Sequence, residues 1–274
     1  MYCKFYGLKE KPFNVTSDPA FFFFSSKHKE ALSHLLYGVN ERKGIIVLTG
    51  EIGTGKTTLT RFFINQLEKN VKTAFILNPY LSDTELLDAI LNDFGLVPKE
   101  KTRLGFIWEL NRFLLNESEA GNNVVLIIDE AQNLPVGMLE QVRLLSNLET
   151  EKSKLLQIVL VGQPELNDKL NLHELRQIRQ RIMVKYHINP LGDNEIKDYI
   201  YHRLSAAGAG KEIEFCDDAI KEIMDFSVGT PRLINMLCDR ALLAGFTNDV
   251  KKINAGIMKK CIEEFGYHFA GGRQ

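Results

Sequence analysis

What the chain has little of narrows its chemistry first. Its 274 residues hold four cysteines, at positions 3, 216, 238 and 261. No two form a CxxC pair and none sits at metal-ligand spacing from a histidine, so the pattern predicts free or buried thiols in a reducing compartment, with neither a disulfide nor a structural zinc. No apolar run approaches the ~18 to 20 residues that span a bilayer, and the opening MYCKFYGLKEKPF lacks the uninterrupted apolar core of a secretory signal. The expectation is a cytoplasmic chain with no transmembrane segment. An excess of either charge is missing as well: 34 Lys and Arg face 35 Asp and Glu, for a net charge of -1. That balance demands neither a nucleic acid nor an anionic membrane as partner, and excludes neither. There is one tryptophan, Trp108, for which burial is the default. With 45% hydrophobic residues the chain has enough apolar side chains for one large domain or two smaller ones.

The most informative stretch that is present runs from Gly50 to Thr57, GEIGTGKT, directly behind the apolar run Ile45 to Leu48. This is the GxxxxGKT spacing of a phosphate-binding loop. Gly50, Gly53 and Gly55 let the backbone turn and present successive N–H groups to a polyphosphate, with Glu51, Ile52 and Thr54 completing the loop. Thr57 and Thr58 open a helix whose positive end faces the same anion. Lys56 supplies a point charge at the β- and γ-phosphates, and the Thr57 hydroxyl is placed to reach a magnesium ion.

Taken in order, residues 1 to 26 read as an irregular arm with short extended pieces, punctuated by Pro12 and Asp18-Pro19. The aromatic tetrad Phe21 to Phe24 reads as a core strand or hinge plug. A helix over Lys27 to Asn40 follows, and then apolar strand runs near 45–48, 73–77, 124–128, 155–161 and 183–188 alternate with helical periods. In the helix from Arg103 to Asn116, Leu104, Ile107, Trp108 and Leu115 share one face, which predicts that this face is buried. Together these features predict a five-stranded, parallel, doubly wound α/β domain over 27–190. Beyond Pro190 the stretches 193–207, 217–227, 231–245 and 254–265 are helical by period with no strand between them, predicting a small all-α domain over 191–268 and a loose tail over 269–274.

In doubly wound sheets, ligands lie outside the carboxyl ends of the strands, so Gly50, Asn78, Asp129 and Gln163, each just past a strand, should converge on one crevice. Asp129 stands where a carboxylate holds magnesium, directly or through water. Glu130, beside it, is placed to orient and deprotonate the water that attacks a γ-phosphate. Gln163 either hydrogen-bonds that phosphate or water, or is a turn residue before Pro164. Asn78 either holds Glu130 in a resting orientation or is a turn residue before Pro79. In Thr230-Pro231-Arg232, threonine is a natural N-cap and proline a natural first helical residue, but an arginine in the first turn opposes the helix macrodipole and calls for an anion, a γ-phosphate being the natural one. Arg176, Arg179 and Arg181, with Arg143, enrich one part of the domain in guanidinium groups, either as ordinary surface charge or as a group acting on a neighbouring subunit's nucleotide.

The assembled order GEIGTGKT, VVLIIDEAQ, VGQPEL, LRQIRQRI, GTPRLINMLCDRA resembles the AAA+ ATPases, and more narrowly the general secretion pathway A type (ExeA-like), down to the opening FYGLKEKPFNVTSDPAFFFFSSKHKEALSHLLYG. The resemblance spans about residues 1 to 265. It implies ATP and Mg2+ as cofactors, with Lys56 and Thr57 in Walker A, Asp129 and Glu130 in Walker B and Gln163 at sensor 1. It further implies Arg179 or Arg181 as the arginine finger and Arg232 as sensor 2. It also implies a homo-oligomer that hydrolyses ATP to assemble or remodel a cell-envelope secretion system, at the inner face of the membrane through its partners. Members of the secretion type continue past such an ATPase part into a transmembrane helix and a peptidoglycan-binding domain. Similar ATPases work with transposases on DNA, so a DNA-binding transposition regulator is the alternative. The dense basic runs, KEKTR at 99 to 103, Lys251-Lys252 and Lys259-Lys260, are not interleaved with aromatics as single-strand stacking platforms are.

Overall fold

A computed structural model describes residues 1–14, 18–77, 81–150, 153–210 and 212–270. In chain order the helices and strands are α1 (Tyr2–Tyr6), α2 (Ser26–Asn40), β1 (Ile45–Gly50), α3 (Lys56–Gln66), β2 (Val71–Ile76), α4 (Asp83–Asp93) and α5 (Arg103–Glu119). They continue with β3 (Asn123–Ile128), α6 (Val136–Leu145), β4 (Gln157–Gly162), α7 (Glu165–Leu170), α8 (Arg176–Arg179) and β5 (Ile182–Ile188). The last group is α9 (Asp193–Ala206), β6 (Glu214–Phe215), α10 (Asp217–Ser227), α11 (Pro231–Thr247), β7 (Lys252–Ile253) and α12 (Ala255–Ala270). The chain divides into two compact units, one of residues 27–51 and 59–188, the other of residues 1–26, 52–58 and 189–274.

The first unit is built on a five-stranded parallel sheet in the order β2-β3-β4-β1-β5. Every residue of β1, β3 and β4 is buried, which is why these strands read as unbroken apolar runs: helices cover both faces. The edge strands β2 and β5 alternate instead. Close approach of α2 to the sheet depends on Gly38, where a Cβ would lie 2.5 Å from Ile46 Cδ1. The predicted α/β sheet is therefore present.

One expectation in this unit is overturned. The buried residues of α5 are Phe106, Glu109, Leu110 and Leu114, whereas Leu104, Trp108 and Leu115 are 65%, 71% and 40% exposed. The helix carries two apolar stripes and only one can face the core. Phe106, Leu110 and Leu114 recur every four residues without interruption, while the stripe through Leu104 and Trp108 is broken by Asn111.

The second unit packs α9 to α12 around a core that includes Tyr2, Tyr6, Leu8, Phe13 and Phe21 of the N-terminal segment. Instead of extended pieces, that segment begins with the one-turn helix α1, closed by Gly7 in the left-handed conformation (φ 67°). Tyr6 donates from its hydroxyl to the carbonyl of Leu242 at 3.1 Å. Arg203 of α9, only 7% exposed, donates from Nε to the Pro12 carbonyl at 2.6 Å and from Nη2 to the Asn14 carbonyl at 2.8 Å, with its guanidinium over the Phe21 ring. Of the aromatic tetrad, Phe21 ends a 3-10 turn and is buried, and Phe23 packs edge-on against Tyr199; no strand forms there. A second correction is the short parallel pair β6 and β7, which lies in a region predicted to be wholly helical. Two residues per strand are too few to register a period. Burial raises the Cys261 thiol to about 11 and pushes Cys238 upward as well, so neither is a thiolate nucleophile near neutral pH.

Candidate functional site

The loop between β1 and α3 has the backbone that its glycines allow. Gly53 and Gly55 have φ of +81° and +91°, a region that side-chain-bearing residues rarely adopt. Helix α3 begins at Lys56, with Thr57 and Thr58 in its first turn. Thr54 and Lys56 are buried and Glu51 and Ile52 exposed, with Gly53, Gly55, Thr57 and Thr58 between these extremes.

Helix α11 meets this loop. Thr230 holds the N-cap position and Pro231 the first helical position, as predicted, but the Thr230 side chain makes no capping bond. The backbone N–H of Arg232 donates to the Gly53 carbonyl at 3.3 Å instead, so an acceptor from the loop satisfies one of the orphan donors of the helix start. The approach is close: a Cβ on Gly53 would lie 2.4 Å from Arg232 Cβ. The Arg232 side chain is exposed.

At the carboxyl edge of the sheet, β4 lies between β1 and β3, with Thr49 in register with Gly162 and Ile128 with Leu160. Gly50, Asp129 and Gln163 therefore follow three adjacent strands at the same edge. Asn78 lies outside the described residues. Asp129 is 1% exposed, and its Oδ1 accepts the Glu130 N–H at 2.9 Å. Glu130 itself is left-handed (φ 53°, ψ 36°), an uncommon conformation for a residue with a side chain, and it turns the chain out of β3 into the short 3-10 turn Ala131–Asn133. Its carboxylate oxygen Oε2 accepts two amide hydrogen bonds, from Gln132 Nε2 at 2.6 Å and from Gln163 Nε2 at 3.2 Å. Gln132 Oε1 in turn accepts the Gln163 backbone N–H at 3.1 Å. Lys169 of α7 clamps the turn by donating to the carbonyls of Gln132 and Leu134, the latter at 2.8 Å. Gln163 thus faces Glu130, while Gln132 and Lys169 were not singled out by sequence. The signal for Gln132 was an amide two residues beyond a strand-end carboxylate, in VVLIIDEAQ.

The arginines sit elsewhere on the unit. Arg179 is exposed and donates to the Asn171 carbonyl at 3.3 Å; Arg143 pairs with Glu140 at 2.6 Å. Arg181 immediately precedes β5, whose first residue Ile182 is in register with Ile45, the first residue of β1. Arg181 therefore lies at the amino edge of the sheet, about 17 Å along β1 from Gly50 at ~3.3 Å per residue.

Residues 39–170 match the family model described as AAA domain. The chain is 45% identical over 257 residues to General secretion pathway protein A of Aeromonas hydrophila, a match covering 93% of this chain and 47% of that protein, so the chain spans about half the length of this relative. Among solved structures, Cdc6p of Pyrobaculum aerophilum aligns with a TM-score of 0.65 at 21% identity, over 86% of this chain and 66% of that one. The RuvB Holliday junction branch migration motor of Thermotoga maritima aligns with a TM-score of 0.57 at 22% identity, over 86% and 67% respectively. At such identities these two structures bear on the fold alone. Among the described residues, no helix is long and apolar enough to cross a membrane.

Proposed function

We propose that this chain binds Mg-ATP and hydrolyses it in an oligomer, and that the work drives assembly or remodelling of a cell-envelope secretion system. The chemistry rests on one observation: a glycine loop in left-handed turns follows β1, while a buried aspartate and an amide-anchored glutamate follow β3, at one edge of one sheet. The donor set fits its cofactors. Lys56 is a buried cation for the phosphates, and the oxygens of Thr57 and Asp129 are the hard ligands magnesium takes, directly or through water. Magnesium, when bound, would neutralise charge developing on the phosphates. Glu130 accepts the proton of the attacking water as the bond between the γ-phosphorus and the bridging oxygen breaks. Arg232, at the start of α11, reads the γ-phosphate from the helical unit. Asn78 remains assigned to the Glu130 carboxylate, and Gln163 to the γ-phosphate or the attacking water.

What supports the oligomer is the direction of the strands. Arg181 enters β5 at the amino edge of the sheet, about 17 Å from Gly50 along β1 and so far from its own loop's phosphates, which supports Arg179 or Arg181 serving a nucleotide held by a second copy. The secretion role, and a location at the inner face of the membrane through partners, rest on the 45% identity to General secretion pathway protein A. The experiment is ATP turnover measured across protein concentrations, with and without duplex DNA. Specific activity that rises with concentration and ignores DNA is the expected result. Stimulation by duplex DNA with a steep salt dependence would favour the transposition-regulator reading instead.

A further inference from the structure

We propose that Gln132 is the positioning residue for Glu130, anchoring one carboxylate oxygen so that the other is the one presented to water; the inference rests on the hydrolytic reading above. The two oxygens of Glu130 are not equivalent. Oε2 accepts from Gln132 Nε2 and Gln163 Nε2, whereas Oε1 accepts no hydrogen bond among the described residues. A carboxylate on a flexible stem is a poor base until its rotamer is fixed, because proton transfer requires the acceptor within hydrogen-bond reach of the water. The shorter of the two anchoring bonds, at 2.6 Å, comes from Gln132.

Gln132 is itself held at both ends. Its Oε1 accepts the Gln163 N–H at 3.1 Å, which ties the anchor to the end of β4, and its main-chain carbonyl accepts from Lys169. The result is a closed ring from Glu130 through the Gln132 amide and the Gln163 backbone to the Gln163 amide and back to Glu130. Gly162 provides the space, since a Cβ there would lie 2.9 Å from Gln132 Oε1. Glu130, where the ring starts and ends, has a left-handed backbone at the entry to the 3-10 turn that carries Gln132. An amide suits the position because it donates to Glu130 with one end and accepts from β4 with the other.

The test is steady-state hydrolysis of Mg-ATP by the parent and by Glu130→Gln, Gln132→Glu, Gln132→Met and Gly162→Ala, with nucleotide affinity measured separately using a fluorescent ATP analogue. Gln132→Glu keeps the acceptor for the Gln163 N–H, removes the donor to Glu130 and sets a second carboxylate beside it; Gln132→Met removes both bonds without adding charge. Both should lower kcat by about 10- to 100-fold while KM and nucleotide affinity stay at the parent's values. Gly162→Ala should lower kcat in the same way by pushing the anchor aside, and it keeps the test open if Gln132→Met does not fold. If Gln132 merely ties the turn to β4, Gln132→Glu would turn over like the parent while Gln132→Met would not, and that outcome overturns the inference. Parental kcat in Gln132→Met overturns it too, because a loss confined to Gln132→Glu would report only the added charge. A parent with no turnover, or a Glu130→Gln variant as active as the parent, instead overturns the hydrolytic reading itself.

Discussion

Replacing Gly53 by alanine adds one methyl group to the loop, and the structure says where it would go. The Cβ would sit 2.4 Å from Arg232 Cβ and 3.2 Å from Arg232 Cδ, where carbon atoms prefer about 3.5 to 4.0 Å. The backbone at Gly53 also has φ +81°, which costs a side-chain-bearing residue roughly 1 to 2 kcal/mol. Overpacking of this kind adds roughly 1 to 3 kcal/mol, for a total of about 2 to 5 kcal/mol. The chain has two ways to bear this. If the loop holds its shape, the melting temperature falls; if the loop swings away from α11, nucleotide binding must restore it, and at ~1.4 kcal/mol per factor of ten the affinity drops by about 30-fold or more. Gly121→Ala is the control, because its φ is +78° but nothing lies within 4 Å of the added Cβ, so it isolates the backbone cost. Thermal melting and ATP affinity should be measured on both variants. A Gly53→Ala protein that melts with Gly121→Ala and binds ATP within twofold of the parent would refute the contact between the loop and α11.

Arg232→Ala separates the two parts of Arg232: the bond to Gly53 is made by the backbone N–H, which alanine keeps, so melting should be unchanged while turnover and the preference for ATP over ADP are lost. Equal preference in variant and parent would reduce the guanidinium to surface charge. Arg203→Met keeps the aliphatic stem and leaves the Pro12 and Asn14 carbonyls without their charged donor, a cost of about 1 to 3 kcal/mol for each unpaired group. Amide exchange in residues 2–14 should quicken well beyond that in β3; unchanged protection would mean that the apolar contacts of Tyr2, Tyr6 and Phe13 hold the segment unaided.

The strands were legible in the sequence because burial on both faces leaves a long apolar run that no helix period explains, as in Val124 to Ile128 and Ile158 to Val161. The edge to which Gly50, Asp129 and Gln163 belong followed from the same runs, since each residue stands just past one. Trp108 was misread for a physical reason: the apolar character of a helix residue does not say which of two competing stripes the neighbouring layers will cover, and the stripe through Phe106 won. The N-terminal helix was missed because five residues make little more than one turn, too short for periodicity, and its place is fixed by contacts to α11 more than two hundred residues later, such as Tyr2 to Asp239. Gln132 left only a faint mark, an amide two residues past a strand-end carboxylate, because residue type does not announce the left-handed backbone that Glu130 adopts beside it. Arg203 was hidden likewise: a charged residue on a helix reads as solvated until the distant carbonyls that bury it are known.

The most direct test of the central claim compares Lys56→Ala and Glu130→Gln by two readings, ATP affinity and Mg-dependent phosphate release from an assembled sample. Phosphate contact and water activation are assigned to different side chains on different elements, so the two losses should separate. Lys56→Ala should lose nucleotide binding and, with it, turnover. Glu130→Gln should bind ATP like the parent and release phosphate at a rate lower by about 10² to 10⁴. Equal loss of affinity in both variants, or phosphate release by Glu130→Gln at the parent's rate, would contradict the account.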